Sequence, residues 1–234
     1  GMTPLFFQKF WLDIKMDLIE AVQSFFHSGN MLRAVNETLI CLIPKVDSPV
    51  DMTQFRPISL CNVLYKVISK ILVYRLRNVI HCCISPTQSA FVPGRQILDN
   101  ILVAHECIHF LNYKRSGREG YLAIQLDMAK AYARVDWSFL DKLMLRMGFC
   151  KQWVGWIMEC VSSVSYSVNV NGEKKVFIRP SRGLRQGDPL SPFLFLICAE
   201  GFSVLLNQAI RQGKLSDLQL SSGGPRLSHL FFAD

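Results

Sequence analysis

Two aspartates close short apolar runs in this sequence: Asp127 ends YLAIQLD, and Asp234 ends HLFFAD. An apolar run that finishes on an acid is the pattern of a strand delivering a carboxylate to the rim of a sheet. If the two strands are neighbours, their carboxylates converge. Like charges about 4 Å apart repel by roughly 1–4 kcal/mol across effective dielectrics of about 80 to about 20. A divalent cation relieves that repulsion, and Mg²⁺ favours one or two carboxylates together with substrate phosphates. Taken singly, each acid more simply ends a strand in solvent.

Three further stretches carry residues of the right chemistry. In LDMAKAYARVDW, Tyr132 follows Asp127 by five residues and sets an aromatic ring just past the turn. In GLRQGDPLSP, Gln186 stands beside Gly187 ahead of an apolar helix, where backbone and amide can approach a ligand closely. In FRPISL, Arg56 precedes a proline and is biased to extended backbone, from which a guanidinium can fork onto phosphate. An arginine before proline is ordinarily a loop residue, and a lone tyrosine is ordinarily core.

Helices and strands must hold these groups. Thr3-Pro4 suits a helix start, and Phe7, Phe10, Trp11, Ile14, Leu18, Ala21, Val22 and Phe25 recur at helical spacing up to Gly29. Leu39–Ile43 reads as a strand closed by Pro44. Asn62 caps a predicted helix running through Ile80, with Val67, Ile68, Ile71, Leu72, Leu76 and Val79 inward. At about 100° per residue, Lys66, Lys70 and Arg77 fall within about 40° of one another on its other face. Arg75 sits in the apolar arc of that helix without an evident reason.

A further helix is predicted over 97–114, followed by the loop SGREG. Beyond it Tyr121–Leu126 reads as a strand ending at Asp127, with helices over Trp137–Met147 and Gln152–Ser162. Asn171-Gly172 joins Tyr166–Val170 to Lys175–Ile178 as a hairpin. A Gly/Pro loop then leads into a helix over about Phe193–Gln212, and a last strand runs to Asp234. The helix-rich part up to residue 118 and the mixed part from 119 to 234 suggest two subdomains.

Basic residues outnumber acidic ones by 26 to 18, a net charge of +8. Met52–Leu98 holds six basic residues and no acid, and Lys174–Gly187 holds five and no acid. Such stretches fit a polyanion, since phosphate neutralisation supplies most non-specific affinity for nucleic acid; a solvated surface face fits them equally. Eight cysteines show no C-x-x-C pair, which argues against a zinc site or a disulfide framework and suits a reducing intracellular compartment. No uninterrupted apolar run nears the ~18 residues of a membrane span, and no membrane partner is expected.

In order, FRPISLCNVLYKVISKIL, SPTQSAFVPGRQILDNI, LDMAKAY, RGLRQGDPLSPFLFLICAEG and HLFFAD resemble the successive blocks of a reverse transcriptase, of the LINE-type non-LTR retrotransposons of plants. The resemblance implies an α+β right-hand polymerase fold. Its parts would be helix-rich fingers and a partial palm with an antiparallel sheet, the thumb being absent. It implies an RNA-directed DNA polymerase working by two-metal nucleotidyl transfer with Mg²⁺ or Mn²⁺, on an RNA template, a DNA primer and dNTPs. Asp127 then matches the first metal-binding aspartate, and Asp234 the first acid of the F/Y-A-D-D turn.

Tyr132 matches the steric gate that favours deoxynucleotides, and Gln186 and Gly187 match residues lining the incoming-nucleotide site. Arg56 falls in the block that meets the triphosphate, with Lys66 as companion. Lys70 and Arg77 would face template or triphosphate, and Arg95 lies in a fingers turn near template. The nucleus is the location the family implies.

The match departs from the family pattern in places. Ala133 stands where family members carry an aspartate after the aromatic, and Gln125 replaces a residue that is often basic. The sequence reads as a fragment that stops inside the F-A-D-D turn, without the downstream palm and thumb or the endonuclease and RNase H regions often attached in this family. Little or no polymerase activity is therefore the expectation for it. The alternatives are a non-catalytic nucleic-acid-binding remnant and a pseudogene product.

Overall fold

A computed structural model describes residues 4–114, 120–221 and 223–232. In chain order the described residues form α1 (Pro4–Lys9), α2 (Trp11–Ser28), α3 (Arg33–Asn36), β1 (Glu37–Pro44) and β2 (Phe55–Leu60). Next come α4 (Val63–Arg77), α5 (Ile80–Cys83), α6 (Ile97–Tyr113), α7 (Ala131–Arg134), α8 (Trp137–Arg146) and α9 (Lys151–Ser162). The series ends with β3 (Ser165–Val170), β4 (Glu173–Ile178), α10 (Ser191–Arg211), β5 (Leu218–Gln219) and β6 (Arg226–Leu227). Two compact units share these elements. The first comprises Gly1–Leu76 with Tyr132–Phe195, and the second Arg77–Ala131 with Leu196–Asp234.

The first unit is built on a four-stranded sheet in the order β2-β1-β3-β4. An antiparallel sheet was expected within 119–234. There β3 and β4 do pair antiparallel, but the sheet as a whole is mixed because it also takes in β1 and β2. β1 pairs antiparallel with β2 and parallel with β3, and β3 pairs antiparallel with β4. The physical reason is connection length: β3 follows β1 only after many intervening elements, enough for the crossover that parallel strands require. The β3–β4 hairpin turns at Asn171-Gly172, both with positive φ (52° and 87°), the requirement of a two-residue turn matched to strand twist.

Local chemistry fixes the helix ends. The Asn62 side chain accepts the Leu64 N–H at 2.9 Å and starts α4; Asp136 accepts the Phe139 N–H at 2.8 Å and starts α8. Gly29, at φ 71°, closes α2 in the left-handed conformation and bonds back to the Phe25 carbonyl. One continuous N-terminal helix was expected, but Phe10, at φ −103° and ψ 22°, separates α1 from α2, and of the inward series only Phe25 is fully buried. On α4 the core is Tyr65, Ile68, Ser69, Leu72 and Leu76. Arg75 is exposed, with its guanidinium 5.6 Å from the centre of the Phe26 ring, which accounts for an arginine in that arc.

The second unit differs most from expectation. Tyr121–Leu126 forms no strand: residues 120–128 are irregular and exposed, with Leu122, Ile124 and Leu126 at 83%, 70% and 67% exposure. A strand exists only through a ladder partner, and among the described residues nothing pairs with this run. Asp127 therefore ends an irregular segment. Among the described residues, the last stretch gives the short β6 and a parallel bridge between Gln88 and Phe231.

α10 is long and apolar enough to cross a membrane by length and composition, with a mean hydropathy of 1.7. It escapes a count of uninterrupted apolar residues because Glu200, Gly201 and Ser203 interrupt it. Its Leu194, Leu196 and Ile197 are buried in the protein.

Leu72 is completely buried at the centre of the inward face of α4. Leu72→Ala should lower unfolding stability by about 2–5 kcal/mol, read as a lower urea midpoint with an unchanged slope.

Candidate active site

The loop that carries Gln186 and Gly187 is anchored from below. Arg185 and Asp188 flank the two residues and both turn inward, with side chains only 3% and 4% exposed and Nη2 3.2 Å from Oδ2. Arg185 Nη1 also donates to Asn36 Oδ1 at 2.5 Å and Thr38 Oγ1 at 3.3 Å, and Nη2 donates to the Cys160 carbonyl at 2.8 Å. The guanidinium lies 3.8 Å from the centre of the Tyr65 ring. Tyr65 Oη donates to Asp188 Oδ2 at 2.5 Å, while Asp188 Oδ1 accepts the Leu190 N–H at 3.0 Å.

Ionisation follows this packing. Burial first, and the Asp188 charge next, push the Tyr65 phenol well above its usual value. Burial opposes the Arg185 charge, but the neighbouring Tyr65 and Asp188 outweigh it and the guanidinium is held more firmly protonated. A charge this deep is tolerable only because it is paired and hydrogen-bonded; removing one partner of such a pair costs about 3–5 kcal/mol.

Above this base, Gln186 and Gly187 are exposed. The Ser59 N–H of β2 donates to the Gln186 carbonyl at 2.9 Å. Gly187 has φ 100°, and a Cβ there would lie 3.3 Å from the Ser59 carbonyl oxygen, so glycine meets both the conformation and the close approach. Arg56 is exposed three residues back along the same strand.

Tyr132 joins the same unit. The Leu184 N–H donates to the Tyr132 carbonyl at 2.8 Å, and the Gly183 N–H to the Val135 carbonyl at 2.7 Å. Trp137 Nε1 donates to the Gly183 carbonyl at 2.8 Å. The half-buried Tyr132 ring stacks on Phe195, with centroids 5.1 Å apart and planes 14° from parallel. Backbone bonds thus tie the Tyr132 segment to the Gln186 loop. On α4, Lys66 is half-buried while Lys70 and Arg77 are exposed.

In the second unit Asp127 is exposed. Arg95, expected near template, turns its guanidinium onto the chain: Nη1 donates to the Ser85 and Gln88 carbonyls at 2.6 and 2.7 Å, and Nη2 to the Ile84 carbonyl at 3.0 Å. Asp234 lies outside the described residues. Among the described residues no group of three or more His, Cys, Asp or Glu stands close enough to hold a metal.

A polar cluster with no motif in the sequence to announce it holds residues 229–231. His229 Nε2 lies 2.8 Å from Ser203 Oγ and 3.2 Å from Thr87 Oγ1, and Nδ1 lies 2.7 Å from Ser228 Oγ. Asn100 donates to the Thr87 and Phe231 carbonyls at 2.8 and 2.9 Å. Glu200 accepts from the Ser85 N–H at 2.8 Å and also from its hydroxyl.

Comparison with known proteins shows the family. The profile described as "Reverse transcriptase (RNA-dependent DNA polymerase)" matches residues 43–234. The chain belongs to the reverse transcriptase family. It is 31% identical, over 90% of its length, to the "Transposon TX1 uncharacterized 149 kDa protein" of Xenopus laevis, of which it spans 16%. It is also 31% identical, over 72% of its length, to the "Retrovirus-related Pol polyprotein from type-2 retrotransposable element R2DM" of Drosophila melanogaster, of which it spans 17%.

A shorter stretch, 28% of the chain, is 51% identical to an uncharacterized mitochondrial protein of Arabidopsis thaliana, of which it covers 53%. This reverse transcriptase domain spans about a sixth of the two long relatives it matches, both named for transposable elements.

The site residues that the sequence did not point to are Arg185, Asp188, Tyr65, Asn36 and Thr38. The signal available for them was the i, i+3 spacing of Arg185 and Asp188 around Gln186-Gly187.

Two outcomes follow from this geometry. Gly183 has φ 96°, and a Cβ there would lie 3.0 Å from the Ala133 carbonyl oxygen. Gly183→Ala should cost about 1–3 kcal/mol in chemical denaturation and loosen amide protection at Leu184. Burial holds the His229 imidazole below its ordinary 6.5, against the opposing Glu200 charge. Its contribution is then complete above pH 6.5 and lost as pH falls through the depressed folded value. Amide exchange in 228–232, corrected for intrinsic rate, should rise between about pH 7 and about pH 5, and His229→Gln should flatten that rise.

Proposed function

We propose that this reverse transcriptase domain selects and positions a deoxynucleoside triphosphate for addition to a DNA primer on an RNA template. The observation carrying this is the tie between the Tyr132 segment and the Gln186-Gly187 loop, which presents two exposed residues on a buried, charged base. Phosphoryl transfer asks the protein mainly to position groups and stabilise charge, and such a base suits that demand.

On this proposal the Tyr132 ring packs where a 2′-hydroxyl would lie, and Gln186 and Gly187 line the nucleotide. Arg56 and Lys66 meet the triphosphate. Lys70 and Arg77 face the template backbone, and Arg95 contributes through the turn it shapes. Asp127 and Asp234 serve as ligands for Mg²⁺ or Mn²⁺. The exposed Asp127 carboxylate is a hard oxygen donor of the kind these ions prefer, in company with substrate phosphates. When bound, the divalent ions supply charge neutralisation for the attacking and leaving oxygens. The nucleus is the proposed location.

The deciding measurement is dNTP affinity on a primed RNA template with Mg²⁺. Asp127→Asn should weaken it about tenfold or more and leave template affinity within about twofold, while Tyr132→Ala should narrow the dNTP-over-rNTP preference by about tenfold. Affinity and preference unchanged in both variants would sink the proposal. A second reading, nucleic-acid binding without chemistry, draws on the acid-free basic stretches. It predicts salt-sensitive template binding with no primer extension and no dependence on Asp127.

A further inference from the structure

The sequence R-Q-G-D places two exposed residues between two buried ones, and the buried pair closes on itself. Arg185 and Asp188 meet at 3.2 Å beneath Gln186 and Gly187. Each is also held from a different direction. Arg185 is fixed by Asn36 and Thr38, at the end of α3 and the start of β1, and by the Cys160 carbonyl in α9. Asp188 is fixed by Tyr65 of α4 and by the Leu190 N–H just ahead of α10. Separate elements of the first unit therefore define where the two ends of the tip stand, and β2 defines its middle through Ser59.

A buried ion pair is a poor means of adding stability, since an apolar pair of similar volume usually does as well or better. What the pair does supply is direction. A planar guanidinium with carboxylate, amide, hydroxyl and carbonyl partners, lying over an aromatic ring, admits one arrangement, whereas apolar contacts admit several. We infer that Arg185 and Asp188, with Tyr65, form a positioning clasp that fixes the Gln186-Gly187 tip in the orientation required to meet the incoming nucleotide. This rests on the proposed nucleotide contact of Gln186. None of the three is a catalytic residue, because none is presented at the surface of the loop.

The test compares Asp188→Asn, Arg185→Lys and the double variant Arg185→Met/Asp188→Leu with Gln186→Ala, each in the whole chain. Two quantities are read: amide exchange at Ser59, whose N–H donates to the Gln186 carbonyl, and dGTP affinity on a primed RNA template in Mg²⁺. In Asp188→Asn, exchange of the Ser59 N–H that donates to the Gln186 carbonyl should rise about tenfold, and dGTP affinity should fall about tenfold, matching Gln186→Ala, with template affinity within about twofold. Arg185→Lys keeps the charge but loses the fork, and should show the same pattern more weakly.

The double variant separates positioning from stability. It should recover the melting temperature while its tip stays mobile and its dGTP affinity low; recovery of affinity along with melting temperature would overturn the clasp. Unchanged exchange at Ser59 in a folded Asp188→Asn protein would overturn it too, as would a rise in exchange with no loss of affinity while Gln186→Ala does lose it. If Gln186→Ala leaves dGTP affinity untouched, the nucleotide contact of Gln186 is what fails. The exchange measurement still decides whether the pair fixes the tip.

Discussion

A single buried guanidinium organises the first unit. Arg185 carries a full charge into a site only 3% exposed, and a charge so placed must be answered by partners in fixed positions. Its partners come from the end of α3, the start of β1, the last turns of α9 and the residue three places on in its own loop. Satisfying that charge therefore also sets how helices and sheet meet around the loop. The exposed Gln186 and Gly187 inherit that rigidity from residues no ligand would touch.

The second unit is organised differently. Its buried and half-buried polar groups, Glu200 with Ser85, His229 with Ser203 and Thr87, and Asn100 with two carbonyls, are mostly neutral contacts that tie chain segments together. They fasten residues 229–231, while 120–128 leaves its apolar side chains exposed. The contrast lies in satisfied backbone. Residues 229–231 have the Gln88 bridge, the Thr87 carbonyl and Asn100 to bond with; 120–128 has no ladder among the described residues.

Elements set by local rules are legible in the amino-acid order. The Asn62 and Asp136 caps, the Gly29 stop and the Asn171-Gly172 turn depend on a few neighbouring residues and form as the spacing indicates. Tyr121–Leu126 illustrates the limit. Its alternation suits a strand, but a strand is a relation between two segments, and alternation in one cannot supply the other. The mixed character of the sheet was hidden for a related cause: hairpin signals show which neighbours in sequence pair, and β1 beside β3 is a pairing of distant segments. Of the candidate site, Tyr132, Gln186, Gly187 and Arg56 are visible because they stand in short blocks whose order along the chain resembles a family. Arg185 and Asp188 are not, because either could as readily be a solvated charge.

By itself the sequence determined the family, the order of its blocks and the residue types available for chemistry, since those are properties of the chain read in one dimension. Tertiary structure alone decided that the Arg185 charge turns inward, that Arg95 bonds its own turn, and that Arg75 lies over Phe26. Whether a charged side chain faces water or carbonyls depends on what the rest of the chain packs beside it. No local pattern encodes that choice, because desolvation and pairing are settled only when distant segments meet.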